Sequence, residues 1–122
     1  MPYTAVVAED EELIRYIAAE ALRDAGFIVL EAEHAAAALK HLHAQAATIH
    51  VLFTDIHMPG DMDGLLLAHH TSSTWPWIAV LITSGRSPPA AHQMPARSRF
   101  LPKPYQPDTL LTHLRELVGA EP

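Results

Sequence analysis

The chain contains no cysteine, which excludes disulfides, thiolate metal sites and thiol nucleophiles together. It has no excess of positive charge either. Eight Lys and Arg stand against fourteen Asp and Glu, a formal net charge of −6 with His neutral, and that balance argues against a nucleic-acid-binding surface. No apolar run approaches the roughly 20 residues of a membrane span. The start, Met1-Pro2-Tyr3, lacks the basic and apolar regions of a signal peptide. Glycine-rich phosphate loops are missing as well: there is no GxxxxGK followed by Ser or Thr, and no GxGxxG after a strand-like run. What is present is 122 residues, 49% of them hydrophobic, which suits one domain and leaves no room for a second. A domain of this size buries roughly two-thirds of its unfolded surface. The expectation is a single soluble, cytoplasmic domain over residues 1–122, with no output domain after it.

Short apolar runs alternate with helical stretches. Tyr3 to Ala8 predicts a strand, and Glu11 to Ala25 a helix whose stripe is Leu13, Ile14, Ile17, Ala18, Ala21 and Leu22. Gly26 stands where a C-terminal cap is needed. Phe27 to Leu30 predicts a second strand and Ala35 to about Ala46 a second helix. Ile49 to Thr54 reads as a third strand, apolar enough to be buried on both faces. A helix from Asp63 or Gly64 to about Ser72 and a strand from Ile78 to Thr83 follow. The stretch Pro88 to Pro95 allows about two helical turns at most. Arg99 to Leu101 predicts a fifth strand, and Pro107 opens a last helix with the stripe Leu110, Leu111, Leu114, Leu117 and Val118, closed by Gly119. Strands alternating with helices imply right-handed crossovers and a parallel sheet.

Asp55 closes the third strand, just before the turn Met58-Pro59-Gly60. Open α/β sheets place their ligand sites at such carboxyl ends. Glu9 and Asp10 follow the first strand. Two carboxylates about 4 Å apart repel by roughly 4 kcal/mol at an effective dielectric near 20, and a divalent cation relieves that repulsion. An all-oxygen, incompletely filled site fits Mg²⁺, although acids at Glu9 to Glu12 also suit a helix N-terminus. Thr83 ends the fourth strand with a hydroxyl, and Lys103 follows the fifth with an ammonium. Acids, hydroxyl and cation at one sheet edge suit phosphoryl transfer onto Asp55, a reaction made mostly of positioning and electrostatics. A carboxylate is a competent nucleophile for it, forming an aspartyl-phosphate.

With these pieces in order, the sequence resembles the receiver domain of bacterial two-component response regulators over essentially its whole length. The matching segments are Val6 to Glu11, Leu52 to Gly60 with Met62-Asp63-Gly64, Ile82 to Gly85, and Phe100 to Pro104. The resemblance implies a flavodoxin-like, doubly wound, five-stranded parallel sheet of order 2-1-3-4-5 with five helices. It implies Asp55 as phosphoacceptor and Mg²⁺ held by Glu9, Asp10, Asp55 and the His57 carbonyl. Thr83 would contact the phosphoryl group, Lys103 would form an ion pair with Asp55 or its phosphate, and the Lys103-Pro104 bond would be cis. Thr83 and Phe100 would form the switch. The implied partners are a histidine kinase or a histidine phosphotransfer protein, with no nucleic acid and no membrane, and the protein would not be a turnover enzyme. The alternative is a phosphorelay intermediate or phosphate sink; a third possibility is a phosphorylation-independent binding module.

Departures from the family pattern are visible. Glu9 replaces the commoner Asp, Gly60-Asp61 lengthens the loop after Asp55 by one residue, and Phe100 has no hydroxyl. His57 stands two residues after Asp55, where haloacid-dehalogenase-like phosphatases need a second Asp. The nine histidines do not read as a metal site, because His41 with His43 and His69 with His70 do not share helix faces and no HExxH is present. Trp75 and Trp77, flanking Pro76, read as packing residues.

Overall fold

The computed structural model describes residues 2–119; the expected domain limits, Met1 and Pro122, lie outside the described residues. Five parallel strands, β1 (Thr4–Ala8), β2 (Ile28–Ala32), β3 (Val51–Asp55), β4 (Ala79–Ser84) and β5 (Ser98–Pro102), form one sheet of order β2-β1-β3-β4-β5. Helices α1 (Glu12–Asp24), α2 (Ala35–Gln45), α3 (Gly64–Thr74) and α4 (Pro107–Gly119) cover it. The order reverses at β1 and β3, so the ends of these two strands open side by side at the switch point.

Alternation along the strands builds two cores. Ala5, Val7, Val51, Phe53 and Leu81 pack against Ala18, Leu22, Leu110 and Leu114 from α1 and α4. Val6, Leu52 and Ile78 pack against Leu42 and Leu67 from α2 and α3. Successive strand side chains point to opposite faces, and with both faces covered every position of β1, β3 and β4 is buried. That is why these strands read as continuous apolar runs.

Helix ends follow local chemistry. Gly26 takes φ +96° and donates its N–H to Arg23 O, closing α1 where only glycine is unstrained. The imidazole Nδ1 of His34 accepts the Ala37 N–H and starts α2. Asp63 accepts the Leu66 N–H and starts α3.

Two expectations change. The described residues contain four α-helices rather than five: between β4 and β5 there is only a single 3-10 turn, Ala91–Gln93. Pro88, Pro89 and Pro95 remove backbone donors and push the residues before them out of the helical region. Met94, which precedes Pro95, accordingly takes an extended ψ of 137°. The expected α1 stripe is also only partly buried. Ala18, Ala19 and Leu22 are covered, whereas Leu13 and Ile17 are 69% and 48% exposed and Tyr16 lies exposed between them.

Gly64, the first residue of α3, sits against the end of β3. A Cβ there would stand 1.7 Å from Asp55 O and 2.8 Å from Ile56 Cα. Both neighbours are backbone and cannot rotate away. Gly64→Ala should therefore destabilise the protein by about 3 kcal/mol or more, read as a lowered urea midpoint; a midpoint within error of the parent would mean that the helix can step back freely.

Candidate functional site

The carboxyl ends of β1, β3, β4 and the turn after β5 meet at one edge. Asp55, the last residue of β3, is 5% exposed, and Glu9, directly after β1, is 4% exposed. Asp10 is exposed. One carboxylate oxygen from each of Glu9, Asp10 and Asp55 lies within 4.8 Å of the other two. Lys103 reaches across this group: its Nζ donates to Glu9 Oε1 at 2.8 Å and to Asp55 Oδ2 at 3.2 Å.

Backbone donors hold the acids in place. Glu9 Oε2 accepts the Glu11 N–H at 3.1 Å, and Asp55 Oδ1 accepts the His57 N–H at 3.3 Å. The Glu9 carbonyl accepts Arg15 Nη1 of α1 at 2.9 Å, and the Asp55 carbonyl accepts the Thr54 hydroxyl at 2.9 Å. Lys103 is aimed by its own backbone, whose N–H donates to Ser84 O at 3.0 Å. The Lys103-Pro104 peptide is cis, as the resemblance implied.

Thr83 lies beside Asp55 in the β3–β4 register and is buried. Its hydroxyl donates to Leu101 O of β5 at 2.6 Å, so it is committed sideways within the sheet. Phe100, on β5, is half-buried against Ile56, Ala68, Val80 and Ile82. His57 is exposed and meets the site through its backbone N–H.

Electrostatics follow from this burial. Desolvation raises the Glu9 carboxyl above its ordinary 4.5, outweighing the hydrogen bonds from Lys103 and the Glu11 N–H that pull it down; the Asp55 charge adds to the rise. Burial alone would lower Lys103, but the Glu9 hydrogen bond and the charges of Glu9 and Asp55 lift its ammonium above the ordinary 10.5. Tyr105, whose ring meets Phe53 edge-on at 5.7 Å, is pushed up to about 12, mainly by burial and next by the Glu9 charge.

Residues that sequence reasoning left out complete the site. Arg15 and the Glu11 N–H fix Glu9, Gly64 presses on Asp55, and Tyr105 lines the same groove as Lys103. Only Gly64 carried a readable signal, as a glycine opening a helix straight after the Asp55 loop. Next to Lys103, the side chains of Ile14, Ile17, Pro104 and Tyr105 line an apolar groove of about 470 Å³.

The donor set is all oxygen, with a cation opposite it, and such a set matches hard divalent ions that keep several waters. Comparisons with known proteins identify the family. The family model described as a response regulator receiver domain matches residues 5–115. The chain is 31% identical over 118 residues to the sensor kinase CckA of Brucella abortus (strain 2308), covering 94% of this chain but 12% of that protein. It is 31% identical over 117 residues to the response regulator receiver protein CpdR of the same organism, covering 93% of this chain and 89% of the relative. The crystal structure of a response regulator receiver protein from Sinorhizobium medicae WSM419 superposes with a TM-score of 0.88 at 29% identity, covering 98% of this chain and 96% of the other.

The raised Glu9 gives a pH test. Its folded state holds the proton more tightly than the unfolded chain does, so stability contributed by this group falls as pH rises from about 4.5 through the higher folded value. Carboxyl-carbon NMR of the metal-free protein should show Glu9 titrating above 4.5, and higher again in Lys103→Met, which lacks the lowering hydrogen bond. A Glu9 midpoint indifferent to Lys103→Met would contradict the contact.

Proposed function

The chain belongs to the response regulator receiver domain family, and we propose that it accepts a phosphoryl group on Asp55 from a phosphohistidine of a histidine kinase or histidine phosphotransfer protein and signals by protein–protein contact. Receiver domains are signalling domains rather than turnover enzymes. The observation that carries the reading is the junction of Asp55 with Lys103 Nζ at 3.2 Å and with Glu9 and Asp10 within 4.8 Å.

In this reading an Asp55 carboxylate oxygen attacks phosphorus. The O–P bond forms while the N–P bond breaks, and its electron pair stays on the departing imidazole. Lys103 neutralises charge on the phosphoryl oxygens, having exchanged an aspartate contact for a phosphate one. The His57 N–H, already held by Asp55 Oδ1, fixes the carboxylate plane. Mg²⁺ fits the oxygen set of Glu9, Asp10 and Asp55, joined by the His57 carbonyl in the resemblance; when bound it supplies charge neutralisation at the transferring group. The apolar groove at Ile14, Ile17, Pro104 and Tyr105 supports a protein donor, because it offers a dry contact surface beside the reacting atoms.

Switching then passes through β4 and β5. To reach a phosphoryl oxygen, the Thr83 hydroxyl must leave Leu101 O, exchanging one hydrogen bond worth about 0.5–1.5 kcal/mol for a charge-assisted one. Phe100, half-buried now, gains about half of the roughly 1.5–3 kcal/mol of a complete transfer from water by full burial in the space vacated.

Incubation with a small phosphodonor and Mg²⁺ tests the acceptor. We expect a mass increase of one phosphoryl group that maps to Asp55 and disappears in Asp55→Asn, whose amide fills the same volume without nucleophilicity. Full labelling of the Asn variant would refute the assignment. Mg²⁺ at 100 times its dissociation constant should add about 2.7 kcal/mol of stability, and Ile17→Glu should slow transfer from a protein donor more than from the small one.

A second reading, a phosphate sink or relay without conformational output, is favoured by one feature. The stretch between β4 and β5 has no α-helix and is tied down to α3, where His69 Nε2 bonds Gln93 O and Ser72 Oγ donates to Ala96 O at 3.5 Å. Hydrogen exchange separates the two. The signalling reading expects slower exchange over residues 85–99 and a changed Phe100 environment with a beryllofluoride mimic; no change in either would transfer the case to the sink.

A further inference from the structure

Nine histidines are distributed through the chain, and the fold engages most of them. His34 caps α2, His50 Nδ1 accepts the Thr4 N–H, His41 Nε2 bonds Glu31 O, His69 Nε2 bonds Gln93 O, and His113 Nδ1 meets Arg99. His43 and His70 differ. Neither has a ring nitrogen bonded to any described protein group, both are exposed, and they face one another from the last turn of α2 and the second half of α3. Their ring centroids are 6.3 Å apart, and each ring stands edge-on to buried Trp75, at 5.1 Å for His43 and 5.8 Å for His70.

We propose that His43 and His70 form a bidentate imidazole site for a borderline transition-metal ion such as Zn²⁺, Ni²⁺ or Cu²⁺, bridging α2 and α3 over Trp75. An imidazole nitrogen binds Zn²⁺ at about 2.0–2.1 Å, which puts each ring centroid roughly 3.2 Å from the ion and limits two ligating rings to a separation of about 6.4 Å. The observed 6.3 Å is inside that limit, and small rotations of two exposed rings shorten it toward the roughly 5 Å of a tetrahedral angle. Both rings lie against Trp75 at steep interplanar angles, and with both residues exposed and no ring nitrogen bonded to a described protein group the nitrogens are available to an ion. Water fills the remaining positions. Donor chemistry keeps this site apart from the acidic one: imidazole prefers Zn, Cu and Ni, whereas carboxylate oxygens prefer Mg, Ca and Mn. The ion would staple two helices at a distance from Asp55, giving the domain a metal input that does not pass through the acidic edge.

The test uses the whole chain carrying Trp77→Phe, so that Trp75 is the sole indole, in excess millimolar Mg²⁺ to occupy the acidic cluster. Cu²⁺ titration should quench Trp75 with one-to-one stoichiometry, and Zn²⁺ should raise the melting temperature. His43→Gln and His70→Gln should each weaken Cu²⁺ binding by about 100-fold or more, because a chelate becomes a single ligand. His92→Gln and Asp55→Asn should leave it in place. Circular dichroism confirms that each variant is folded. Should one of the pair variants unfold, loss of binding in the other, with a metal-dependent shift of both imidazole resonances in the parent, carries the proposal. Equal affinity in the parent and both pair variants, or equal loss in His92→Gln, overturns it.

Discussion

One ammonium group holds the carboxyl edge of the sheet together. Lys103 Nζ touches Glu9 at the end of β1 and Asp55 at the end of β3, while its backbone N–H is fixed to Ser84 at the end of β4. Two carboxylates buried this closely would otherwise be uncompensated, at a cost of several kcal/mol each. The lysine does not abolish that tension, since Glu9 remains raised by desolvation even with the contact in place. A site balanced in this way is already assembled and still favours a further cation.

Much of this was legible beforehand, for definite reasons. A doubly covered parallel sheet forces strands to be apolar on both faces, so Val51 to Thr54 and Ala79 to Ile82 announced themselves. The acids Glu9, Asp10 and Asp55, with Lys103, stand out because charge beside such runs is rare, and the fold does bring their side chains to one place. Helix count was harder to read. Pro88, Pro89 and Pro95 signalled a short segment but not whether any α-helical turn survives; what forms is a single 3-10 turn, bonded to α3 through His69.

Other features were hidden because they depend on partners far apart in the chain. Leu13 and Ile17 have ideal helical spacing, yet α1 approaches the sheet through the small residues Ala18 and Ala19, which leaves both larger side chains outward, Ile17 beside Lys103. The histidines of α2 and α3 looked like isolated helix polarity. Only the packing of the two helices brings His43 and His70 onto the same indole, and spacing within either helix could not reveal it.

The contact of Gly64 with the Asp55 carbonyl makes the surroundings of Asp55 mechanically unequal. On one side, α3 abuts the β3 backbone with no side chain between them, and the Gly64 N–H is bonded to Ile56 O. On the other side, alongside the β4–β5 backbone ladder, the Thr83 hydroxyl reaches Leu101 O and can swing about a single bond. Any force arising at Asp55 meets an anvil in one direction and a hinge in the other. Asp55 is thus bounded by fixed backbone on the α3 side and by a rotatable side chain on the β4 side.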